Sequence, residues 1–128
     1  MHFITPRKAA MGLGASGTGT ASHWSMTVSS VALAILTPLF LWVVGQAIGY
    51  DQIGVVAHFG RPLPALITAL FLVVGMTHYV RGTRIMIDDY VRGSARTWAL
   101  IASQLFGWLV IALALVSLAR MALIGITV

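Results

Sequence analysis

The residues best suited to chemistry stand close together, in the run His78-Tyr79-Val80-Arg81-Gly82-Thr83-Arg84-Ile85-Met86-Ile87-Asp88-Asp89-Tyr90. His78 lies near the end of a stretch, from Arg61 to Arg81, with no charged residue between its two ends. A histidine in sequence that apolar is costly in lipid unless a partner or a ligand meets it. Neutral imidazole can serve as an axial heme ligand. It can equally be a structural histidine bonded to a carbonyl of a neighbouring helix. Gly82 follows at i+4 and shares the same helix face. A glycine there lets a flat porphyrin approach the backbone, or lets another helix pack closely.

The rest of the run divides in the same way. Arg81 and Arg84 can pair with heme propionates or snorkel to lipid headgroups. Tyr90 can donate a hydrogen bond to a quinone carbonyl, with the neighbouring Asp89 or Asp88 orienting it or relaying protons. As structural residues the same three would cap a helix and join an aromatic belt. The remaining histidines are His2 at the terminus, His23 ahead of a first span and His58 in a loop. Only His78 is expected at membrane depth, so a heme held by two histidines needs its second ligand from another subunit. There is no cysteine, which excludes disulfides and Cys-ligated iron–sulfur clusters on this chain.

These residues require an element that places them at a membrane face. Of 128 residues, 59% are hydrophobic and 9% charged, and mean hydropathy is +0.93. A soluble domain carries about 25% charged residues, so the solvent is lipid. No charge occurs between Lys8 and Asp51, Arg61 and Arg81, or Arg96 and Arg120. Each gap can hold the roughly 20 residues that span a bilayer as a helix. The chain reads as a single all-α integral membrane domain of three transmembrane helices, part of a heteromeric bundle.

The spans are expected at about 26–48, 65–87 and 95–124, after a Gly-rich flexible or extended lead-in over 1–25 with Trp24 as interfacial anchor. Pro38 kinks the first span. Loops are expected over 49–64, where Asp51, Gly60, Pro62 and Pro64 act as breakers, and over 88–94. His78 then sits on the order of 12 Å below the end of the second span. Arg7, Lys8, Arg81, Arg84, Arg92 and Arg96 fall on one side and only Arg61 and Arg120 on the other. The positive-inside rule puts the N-terminus in the cytoplasm and the C-terminus in the periplasm. Arg7 and Lys8 precede Gly-rich sequence, not a signal-peptide core, so the first helix is expected to stay. The pI near 10.9 reflects basic residues at membrane edges, not nucleic-acid binding.

The run HYVRGTRIMIDDY, with His78, Gly82, Asp89 and Tyr90, resembles the second-helix motif of the hydrophobic membrane anchor subunits of succinate dehydrogenases. The segments GLGASGTGTASHW and TVSSVAL look like those of proteobacterial members, and the similarity covers residues 7–128. The resemblance implies an inner-membrane complex. A flavoprotein subunit oxidises succinate and an iron–sulfur subunit passes the electrons on. This chain and a larger cytochrome b anchor share heme b and form the ubiquinone site. It assigns His78 as axial ligand to the heme iron, Tyr90 as the quinone hydrogen-bond donor and Asp89 as its acidic neighbour.

Two features depart from the family pattern. Some relatives carry an arginine early in the first helix, near the propionates, but Met26 to Ser30 holds none, so Arg81, Arg84 or a partner would supply that charge. Gly82-x-Arg84 also resembles the larger anchor, whereas the terminal Asp-Tyr and the short chain match the smaller one. Three alternatives stay open: a fumarate reductase anchor, a stand-alone cytochrome, and a non-redox small membrane protein. The second needs two intramembrane histidine pairs, which the sequence lacks.

Overall fold

The computed structural model describes residues 4–12 and 19–125. They form five helices: α1 (Pro6–Met11), α2 (Gly19–Gln46), α3 (Gln52–Gly60), α4 (Pro62–Tyr90) and α5 (Ser94–Gly125). α2, α4 and α5 have 28, 29 and 32 residues, so each is about 42–48 Å long and exceeds the hydrocarbon thickness. These are the three expected spans, each long and apolar enough to cross a membrane.

The described part of the lead-in is helical where a flexible or extended segment was expected. α1 starts at Pro6, with Thr5 as its N-cap. α2 starts at Gly19, so His23 and Trp24 belong to the helix. Its early hydroxyls bond back to the helix itself, Ser25 Oγ to the Ser22 carbonyl at 2.9 Å and Thr27 Oγ1 to the His23 carbonyl at 3.1 Å. Residues that favour turns when unsatisfied are thereby accommodated in a helix. Gly14 and Gly17 lie outside the described residues. α2 passes through Pro38 without interruption.

The segment 49–64, expected as a loop, contains α3. Its breakers mark helix ends. Asp51 accepts from the Gly54 N–H at 2.8 Å as the N-cap of α3. Arg61 takes the extended backbone that a following proline imposes. Pro62 and Pro64 occupy the first turn of α4, where a missing N–H costs nothing. His58 is therefore on a helix, not in a loop. It is buried, and its Nε2–H donates to the Val43 carbonyl at 3.0 Å, one of the carbonyls left unpaired at the end of α2. The second expected loop also shrinks. α4 continues through Asp88, Asp89 and Tyr90, and residues 91–93 turn to α5 with Gly93 at φ +68°.

α4 is the central helix. It packs against α2 on one side and α5 on the other, and among the described residues no Cα of α2 comes within 8 Å of a Cα of α5. Phe40 of α2 stacks on Phe71 of α4 with ring centroids 4.1 Å apart. Tyr79 of α4 meets Phe106 of α5 edge-on at 6.1 Å. α3 packs on α5, where a Cβ at Gly60 would lie 2.7 Å from the Met121 carbonyl oxygen.

Candidate functional site

α4 carries His78 about 24 Å from its first residue and about 18 Å from Tyr90, at 1.5 Å per residue. His78 is half-buried and faces α2. Its Nδ1 lies 2.9 Å from Ser29 Oγ, which in turn lies 2.9 Å from the Met26 carbonyl. Among the described residues Nε2 has no hydrogen-bond partner. The neighbouring helix thus engages His78 through a serine hydroxyl rather than the carbonyl expected of a structural histidine.

Gly82 shares the face of His78, as i+4 geometry requires. A Cβ there would meet nothing nearer than Met26 Cε at 3.9 Å, and at Gly75 nothing nearer than Leu33 Cδ2 at 3.8 Å. Close helix packing within this chain therefore does not explain Gly82. The contrast is Gly107 on α5, where a Cβ would lie 2.5 Å from Val80 Cγ2. The surroundings of His78 fit a planar group ligated through Nε2: a nitrogen left to the ligand, and a glycine one turn on that meets only the flexible end of Met26.

The two arginines point elsewhere. At about 100° per residue, Arg81 and Arg84 lie roughly 60° and 120° round α4 from His78, toward α5. Both line a groove of about 260 Å³ with Thr77, Gln104 and Trp108. Arg84 is exposed, and its Nε stands 3.9 Å from Asp88 Oδ2. The structure does not bring Arg84 onto the face of His78.

The paired acids separate in role. Arg96 donates to Asp88 Oδ1 from Nε at 2.9 Å and Nη2 at 2.8 Å, tying the end of α4 to the start of α5. Asp89 and Tyr90 are exposed, Tyr90 at 82%. Asp89 falls within about 20° of His78 around α4, one helix face carrying both. The described residues hold no cluster of three metal-ligating side chains. Ser29 and His58 were not singled out by sequence. Ser29 sits among Ser25, Thr27 and Ser30, and nothing in the composition marks the one that faces α4.

Three helices long and apolar enough to cross a membrane define a multi-span membrane protein. Residues 1–122 match the family model described as succinate dehydrogenase/fumarate reductase transmembrane subunit. The chain is 61% identical over 128 residues to the succinate dehydrogenase hydrophobic membrane anchor subunit of Paracoccus denitrificans, covering 100% of this chain and 99% of that one. No solved structure matches. The chain belongs to the succinate dehydrogenase/fumarate reductase transmembrane subunit family.

Proposed function

We propose that this chain is the small membrane anchor of a succinate:quinone oxidoreductase in a bacterial inner membrane. In this reading it holds the flavoprotein and iron–sulfur subunits at the cytoplasmic face and shares heme b and ubiquinone with a larger cytochrome b anchor. The identity to an anchor named for succinate dehydrogenase supports succinate oxidation over fumarate reduction. The observation that carries the site is the setting of His78, with Nδ1 taken by Ser29 and, at Gly82, only the flexible end of Met26 in van der Waals reach of a Cβ.

His78 would hold the heme iron through Nε2, and the larger anchor would supply a second ligand. When bound, heme would supply a one-electron carrier. Arg81 is the nearer candidate for a propionate, and Arg84 would need to extend around α4. Ubiquinone reduction takes up two electrons and two protons, so its site belongs where bilayer and water meet. Tyr90 donates its hydroxyl proton in a hydrogen bond to a quinone carbonyl. Asp89, free of the ion pair that engages Asp88, accepts protons from water and passes them on. The basic residues on that side support a cytoplasmic N-terminus.

The test is purification of the complex from native membranes in mild detergent, with mass spectrometry and an optical spectrum. A flavoprotein, an iron–sulfur protein, a second anchor and a b-type spectrum are expected. His78→Ala should remove or alter the heme, and Tyr90→Phe should keep the heme but slow quinone reduction. An unchanged heme spectrum in the first, or normal quinone kinetics in the second, would refute that residue's role.

A further inference from the structure

We infer that Ser29 is a positioning residue for His78: its hydroxyl oxygen accepts the Nδ1 proton and so fixes the tautomer and ring orientation that leave Nε2 for iron. The inference rests on the proposed role of His78 as heme ligand.

Ser29 is 7% exposed and one of two buried residues on α2. The large majority of buried hydroxyls are hydrogen-bonded. It offers one proton and two lone pairs. The Met26 carbonyl, 2.9 Å away, takes the proton, and the ring nitrogen at 2.9 Å meets the oxygen. Neutral imidazole has a single N–H. With that proton on Nδ1, Nε2 presents a lone pair. In the opposite arrangement Ser29 donates to Nδ1, the ring proton moves to Nε2, and ligation is blocked. A ligating His78 therefore selects the chain His78 Nδ1–H to Ser29 Oγ–H to Met26 carbonyl.

The acceptor is also well held. Ser29 has a short side chain on a helix fixed against α4 by the Phe40–Phe71 stack. Ser30 supplies an internal comparison. Its hydroxyl donates to the same Met26 carbonyl at 2.9 Å, but it is exposed and reaches no ring. Ser30 has the backbone contact without the histidine contact.

An acceptor on the distal N–H raises the basicity of the ligating nitrogen. A more basic ligand favours ferric over ferrous iron and lowers the heme potential. Removing Ser29 should raise it.

The experiment compares the intact complex carrying Ser29→Ala, Ser29→Thr or Ser30→Ala with the unaltered complex. The readouts are heme per complex, heme midpoint potential by redox titration, and the electron paramagnetic resonance signal of the ferric heme. Ser29→Ala is expected to shift the potential upward and to move the ferric signal, while Ser29→Thr and Ser30→Ala match the unaltered complex. Heme loss confined to Ser29→Ala supports the same role. An unaltered potential and signal in Ser29→Ala, or equal shifts in Ser29→Ala and Ser30→Ala, overturns it. Should Ser29→Ala not assemble, Ser29→Cys, close in volume and a weaker acceptor, is read by the same potentials. If the unaltered complex carries no heme, or His78→Ala leaves the spectrum as it was, the ligand reading itself falls instead.

Discussion

The spacing of α4 and α5 depends on the absence of one methyl group, and that dependence can be measured. A Cβ at Gly107 would stand 2.5 Å from Val80 Cγ2, where an unstrained carbon pair needs about 3.5–4.0 Å. Val80 cannot swing aside, because a β-branched residue in a helix is held near one χ1 rotamer. Gly107→Ala must therefore push the two helices apart by about 1 Å. Overpacking of this kind costs about 1–3 kcal/mol, partly offset by the roughly 1 kcal/mol by which alanine exceeds glycine in helix propensity. The net effect in the natural background is a loss of up to about 2 kcal/mol. Val80→Ala removes the clashing methyl, and the next atoms, the Met76 carbonyl oxygen and Val80 Cβ, are both 3.9 Å away. In that background Gly107→Ala should stabilise by about 1 kcal/mol. The change of sign, not either single value, is the prediction. It is read from apparent melting temperatures of the four proteins of the cycle, each in its complex in one detergent. Gly107→Ala acting equally in both backgrounds would mean that Val80 and Gly107 are not in contact.

Two further substitutions probe buried polar groups. His58→Leu leaves the Val43 carbonyl unpaired at the end of α2 and should destabilise by about 1–3 kcal/mol, seen as a lower melting temperature with the heme spectrum intact. No change in melting temperature would show that the carbonyl finds another donor. Thr68 is buried, and its Oγ1 has no hydrogen-bond partner among the described residues, so the near-isosteric Thr68→Val should stabilise by about 1 kcal/mol. A lower melting temperature would mean that a group from a partner subunit meets this hydroxyl.

The three spans were legible because lipid imposes a coarse rule: charge must be absent for about 20 residues. That rule carries no information about helix ends. α3 was missed because Asp51, Gly60, Pro62 and Pro64 are the residues of turns and equally of helix caps. Only structure shows Asp51 capping one helix and Pro62 beginning the next. His58 was misplaced with α3. Its value lies in a carbonyl fifteen residues away in sequence, a pairing that no local pattern encodes. The i+4 relation of His78 and Gly82 was readable because it is local. The separation of Arg84 from His78 was also available from helix periodicity, since six residues amount to about 600°, or 120° short of two full turns. Ser29 was not readable, because choosing it over Ser25, Thr27 and Ser30 requires the rotation of α2 against α4.

Few of the described side chains are buried, yet that is no sign of weak structure. Lipid is as apolar as leucine, so helices in a bilayer gain little by hiding apolar surface from it. Specific contacts then decide how the helices sit. Three of the junctions carry a polar link: Ser29 with His78 between α2 and α4, His58 with the Val43 carbonyl between α3 and α2, and Asp88 with Arg96 between α4 and α5. Val80 and Gly107 add close contact on the face of α4 about 160° round from His78. The first link uses the residue proposed to ligate heme. Binding through Nε2 leaves the bond at Nδ1 in place, so the α2–α4 pair need not rearrange when the cofactor enters. A helix-positioning contact of this kind preorganises the ligand: the free energy of fixing the ring is spent in folding, before the metal arrives.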